Sequence, residues 1–177
     1  MIRPAFREAL LARPLGILRA IWGFLGFSVL FYVGIGAWLA QTIHPAFSSD
    51  IAATITPALY AVAVAIALLA VWWRRFLAPE RLLASVDPAA TPSLGVGVAP
   101  ETGAERRALG AMARFQTQSI VAWALSELLA IVGLVLSIGT GDARHVTGLG
   151  AATLVLLGTH APSRARLEAV LAATPGA

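Results

Sequence analysis

The chain has 177 residues, of which 58% are hydrophobic and 12% charged, against roughly 25% charged in soluble globular domains. That balance excludes an ordinary soluble domain and indicates an all-α integral membrane protein. All thirteen basic residues are Arg and there is no Cys, which removes disulfides, thiolate metal sites and a cysteine nucleophile. The net charge of +4 is read as membrane topology rather than nucleic-acid binding, because the Arg residues flank apolar runs.

Residues 1–19 hold an amphipathic stretch from Pro4 to Arg13, expected to end at Pro14 and to lie on anionic headgroups at the cytoplasmic face. A first span follows at 20–40. Its apolar run exceeds the 7–15 residues of a cleaved signal, so it is read as an uncleaved helix. A second span at 51–73 completes a hairpin over 20–77. Residues 78–102 read as a cytoplasmic linker, because the middle of the segment, from Asp87 to Pro100, is rich in Pro, Gly and small residues.

Thr102 and Glu105 have the spacing of a capping box, which predicts a helix start near Gly103. No Pro separates that point from the third span at 119–138, so the third helix is expected to extend into the cytoplasm. A fourth, short span at 146–161 closes a second hairpin over 103–161, and 162–177 is a cytoplasmic tail. Twelve of the thirteen Arg fall on one side of this four-span arrangement and only Arg144 on the other. The positive-inside rule then puts both termini in the cytoplasm of a bacterial inner membrane. Arg74, Arg75, Arg106, Arg107 and Arg114 are candidate anchors to anionic lipid.

Membrane helices pack through small residues, since apolar burial gains nothing against lipid tails. Ser119, Ala122, Ser126, Ala130, Gly133 and Ser137 form such a stripe on the third span. Thr56, Tyr60, Ala63, Ala67 and Ala70 do so on the second, and Gly148, Ala151, Ala152 and Gly158 on the fourth. Gly23, Gly26, Gly34 and Gly36 play that part on the first. These stripes serve helix packing or self-association into a homo-oligomer.

Glu127 is the one acid inside a span, at the flank of the third-span stripe. A charged carboxyl there is costly, and no basic residue falls at its depth, so the neutral form is favoured. Counting depth along each span places Ser28, Tyr32, Tyr60 and Thr153 level with it as hydroxyl partners. Two readings follow: Glu127 binds a proton or monovalent cation such as Na⁺, or it is interhelical glue in a non-transporting accessory or scaffold subunit of a larger membrane complex. His160 is read as a helix-end residue. No catalytic triad, metal cluster, phosphate loop or carboxylate pair converges at one depth, so no enzyme and no cofactor other than that ion are read.

The segment from Ala124 to Ser137, Ala-Leu-Ser-Glu-Leu-Leu-Ala-Ile-Val-Gly-Leu-Val-Leu-Ser, resembles the carboxylate-bearing helix of rotary ATPase proteolipid (c-type) subunits. The resemblance implies that Glu127 is an H⁺ or Na⁺ site, Ser126 a neighbouring ligand and Gly133 a close-packing position. It covers about 20 to 25 residues. The preceding helix has alanines where that family has alternating glycines, and the preceding loop is far longer than the family's polar turn.

Overall fold

The computed structural model describes residues 2–84, 86 and 97–174. Helix α1 (Pro4–Thr42) runs unbroken through Pro14, so the expected stop there is corrected. Proline in a helix interior removes one i to i−4 hydrogen bond, and burial of Pro14 beside Phe6, Leu10, Leu11 and Leu18 offsets that loss. The apolar face of this stretch therefore packs on protein rather than lying on headgroups. Helix α2 (Ser49–Trp73) continues into a 3-10 turn, Arg74–Leu77, and a short α3 (Pro79–Ala84). Then come α4 (Gly103–Thr140), α5 (Arg144–Thr159) and α6 (Arg164–Ala172).

No strand occurs among the described residues. Three helical stretches, Pro4–Thr42, Ser49–Leu77 and Gly103–Thr140, are long and apolar enough to cross a membrane, which marks a helical membrane protein. α1 and α4, with 39 and 38 residues, are each about 57 Å long, nearly twice a bilayer's hydrocarbon core. α5 has 16 residues, about 24 Å, slightly under the usual length of a span.

Two compact units divide the chain, and α1 and α4 contribute residues to both. The basic unit comprises Met1–Ile21, Trp73–Val121 and Ala161–Ala177. It contains every Arg except Arg144. α4 begins as its capping box dictates: Glu105 N donates to Thr102 Oγ1 at 3.1 Å, and Thr102 N donates to the Glu105 carboxylate at 3.3 Å. Phe6, Leu10, Leu18, Leu82, Ala108, Met112 and Leu167 are buried as its core.

This core draws in two segments outside the expected spans. The tail at 162–177 contains a helix, α6, whose first turn is capped by Ser163 accepting from Arg166 N at 3.4 Å. Leu167, Val170 and Leu171 turn inward from it. The linker at 78–102 contains α3, which contributes the buried Leu82. Residues 87–96, the Pro-rich middle of that linker, lie outside the described residues.

The apolar unit comprises Trp22–Trp72 and Ala122–His160. The small-residue stripe of α4 is its packed face: Ala122, Ser126, Ala130 and Ser137 are fully buried. A Cβ on Gly133 would stand 2.9 Å from Val146 Cα and 3.0 Å from the His145 carbonyl oxygen. Only glycine admits a backbone that close. On α2, Ala63 and Ala70 are buried as expected. On α5 the assignment is reversed, because Gly148, Ala151, Ala152 and Gly158 are exposed. Val146, Gly150, Thr153 and Leu157 face inward instead. On α1, Gly36 meets Leu134 and Val146, while Gly23, Gly26 and Gly34 touch nothing within 4 Å.

Both ends of α5 are closed by side chains. At its start Val146 N donates to Ser137 Oγ at 2.9 Å, and Ser137 Oγ donates to the Asp142 carbonyl at 2.9 Å. Arg144 N donates to Asp142 Oδ1 at 2.9 Å. At its end the indole of Trp22 donates to the Leu157 carbonyl at 2.9 Å, and that of Trp123 to the His160 carbonyl at 3.1 Å. His160 Nδ1 lies 2.7 Å from the Leu156 carbonyl, a helix-end position as read from its place before Pro162. Helix termini leave amides and carbonyls without intrahelical partners, and where water is scarce those groups must find partners within the protein.

Candidate functional site

Glu127 follows Ser126 on α4, and one residue of rotation carries it about 100° from the centre of the packed stripe. It is consequently half-buried while Ser126 is fully buried. The carboxylate oxygen Oε1 meets the hydroxyl of Ser28 on α1. The same Ser28 hydroxyl lies 2.8 Å from the Leu25 carbonyl, one turn back on its own helix. Tyr32 stands one further turn along, its hydroxyl in the neighbourhood of Glu127 and Ser28. Two helices thus converge on one acid through two hydroxyls.

The other residues expected here lie elsewhere. Ser126 turns back on its own helix and donates to the Ala122 carbonyl at 2.9 Å, so the neighbouring-ligand role implied by the proteolipid resemblance has no geometric counterpart. Thr153 is buried but donates to the Leu149 carbonyl at 2.9 Å. Tyr60 pairs with His145 instead: its hydroxyl lies 2.8 Å from Nδ1, and the rings meet edge to face at 5.6 Å. Counting residues along a span fixes depth but not the direction a side chain takes around its helix. No group of three or more His, Asp or Glu among the described residues could hold a metal ion.

The candidate basic anchors occupy different heights. Arg74 and Arg75 form the 3-10 turn that follows α2. Arg114 is exposed five residues before Ser119, about 8 Å along α4. Arg106 and Arg107 are exposed twelve or more residues before it, about 18 Å or further.

A second polar centre, in the basic unit, escaped the sequence reading. Glu105 is buried, and its carboxylate accepts from Arg3 Nε at 2.8 Å, Arg3 Nη2 at 3.0 Å and Arg3 N at 3.1 Å. It also accepts from Glu101 N at 2.7 Å. These bonds, with the Arg3 guanidinium foremost, hold the Glu105 carboxyl down to about 2. Arg3 in turn pairs with Glu101 and donates to the Ala99 carbonyl at 2.8 Å. On the other side of the unit Arg164 bridges Glu168 at 2.9 Å and Glu8 at 3.1 Å. The i, i+4 spacing of Arg164 and Glu168 was a legible signal; the pairing of Arg3 with Glu105 had none. The chain matches no protein-family model, no curated protein and no solved structure.

Proposed function

We propose that this is a four-span protein of the bacterial inner membrane, with the basic unit and both termini cytoplasmic, in which Glu127 binds and releases a proton at mid-membrane depth. The observation that carries the reading is the double contact of Ser28. A serine hydroxyl has one hydrogen, yet that of Ser28 stands between two acceptors, the Leu25 carbonyl and Glu127 Oε1. If the hydrogen stays on the Leu25 carbonyl, as helical serines commonly arrange, the contact to Glu127 is made by a proton on the acid. Protonation completes the chain of bonds, and proton loss breaks it.

A proton suits the site better than Na⁺. With Ser126, Tyr60 and Thr153 bonded elsewhere, Glu127, Ser28 and Tyr32 offer too few oxygens to replace a cation's hydration shell. The closed ends of α5 support a fourth span despite its length, since its terminal amides and carbonyls need no water. The likeness of α4 to a proteolipid helix agrees with this reading, and a homo-oligomer extends it. A carboxyl-reactive carbodiimide should modify Glu127 more slowly as pH rises, and the infrared carbonyl band of a protonated acid should vanish in Glu127→Gln. Absence of both in intact membranes sinks the proposal.

The second reading, an accessory or scaffold subunit, is favoured by the folded basic unit, whose Arg7, Arg13 and Arg106 are exposed. It requires that mild-detergent purification retain defined partner chains, and a pure homo-oligomer counts against it. Arg74, Arg75 and Arg114 are the anchors best placed for anionic headgroups under either reading.

A further inference from the structure

Helix α6 and the first turns of α1 border two half-open cavities within the basic unit. One, of about 370 Å³, is lined by Ile2, Pro4, Arg7, Glu8, Leu11, Arg164 and Glu168. The other, of about 270 Å³, is lined by Ile2, Arg7, Leu171 and Ala172. The first volume is on the scale of small-ligand sites, which start at about 300 Å³, and the second falls just below it. Arg7 is common to both.

The charges of this region are unevenly committed. Arg164 is held by Glu8 and Glu168, so one cation and two acids of the wall are spoken for. Among the described residues Arg7 has no side-chain hydrogen-bond or ion-pair partner. The remaining walls, Ile2, Pro4, Leu11, Leu171 and Ala172, are aliphatic. One side of the region is fixed by the bonds from Arg3 to Glu105, four residues before Arg7; the other is fixed by the bridge of Arg164. The walls are therefore in place before any ligand arrives, which spares the ordering cost of binding.

We propose that the first of these cavities binds a small organic oxyanion on a short aliphatic stem, the oxyanion on Arg7 and the stem along Ile2 and Leu11. An oxyanion is the partner that a planar guanidinium takes through two parallel bonds, and an aliphatic stem matches the walls. A carboxylate and a phosphate monoester share this chemistry, and either a free solute or a membrane lipid could carry it. Arg7 lies thirteen residues before the start of the first span at 20, about 20 Å along the axis of α1, which favours a solute.

The test uses the full chain in uncharged nanodiscs with hexanoate as probe. Hexanoate should raise the Tm, and hexanol and hexylammonium should not. Arg7→Gln, an exposed substitution, should weaken the hexanoate effect at least about tenfold, through loss of its charge-assisted bonds. The chain has no Cys, so Ile2→Cys gives a single thiol whose alkylation hexanoate should slow. Equal stabilisation of the wild type and Arg7→Gln, or no protection of the thiol, overturns the site. Nanodiscs containing anionic lipid distinguish the source: if the lipid protects the thiol without hexanoate, the ligand is a headgroup and the solute assignment is wrong.

Discussion

Arg3 and Glu105 lie 102 residues apart and are joined by three hydrogen bonds, from Arg3 Nε, Nη2 and its own backbone amide to one buried carboxylate. The pair ties the beginning of α1 to the beginning of α4. Because Glu105 is held near 2 against an ordinary value of 4.5, its contribution to stability is fully present above pH 4.5. It is lost as pH falls from there towards 2. Melting followed by circular dichroism should show this acid-side loss in the wild type and a smaller one in Glu105→Gln, which is destabilised at neutral pH. An identical acid profile in the two proteins would remove Glu105 from the account.

Gly133 lies against the backbone of α5. Gly133→Ala puts a methyl group within 2.9 Å of Val146 Cα, and since backbone cannot swing aside like a side-chain tip, the helices must separate. The expected cost is about 1–3 kcal/mol, read as a lowered Tm in detergent. Gly148→Ala, on the exposed face of α5, should be neutral or mildly stabilising.

Ser137 closes the start of α5 by accepting from Val146 N in a buried setting. Ser137→Ala leaves that amide without its partner and should cost about 1–3 kcal/mol. Trp123→Phe keeps most of the ring but deletes the donor to the His160 carbonyl; about 1 kcal/mol is expected. Hydrogen exchange at the two ends of α5 separates the effects, with each substitution accelerating exchange at its own end.

Tyr60 and Ser28 were level with Glu127 by depth, but only Ser28 reaches it. Ser28→Ala should therefore change the rate at which carbodiimide modifies Glu127, whereas Tyr60→Phe should not. A matching response to both substitutions would contradict the geometry.

Local chemistry was legible where it depends on neighbours in sequence. The start of α4 was carried by Thr102 and Glu105, and the packed face of α4 by its small residues. Which side of α5 turns inward was not legible: lipid is as apolar as a protein core, so Gly148 and Ala151 carry no label that distinguishes an interface from a lipid face. Pro14 misled because its local cost was weighed without the tertiary burial that offsets it. α6 was overlooked although Leu167, Val170 and Leu171 have the spacing of a buried helical face. Glu127 drew notice because an acid in an apolar run is conspicuous, and Ser28 lies beside it; Ser126, Tyr60 and Thr153 bond elsewhere because their rotation about the helix axis is set by packing.

The closed ends of α5 have a mechanical consequence. A longer helix meets a bilayer of the wrong thickness by tilting or sliding, but α5 is fastened at one end to Ser137 and at the other to Trp22 and Trp123. Under the four-span reading its length of about 24 Å is fixed, so the lipid beside it must thin to match. Under that reading thin bilayers suit such a helix and thick ones strain it.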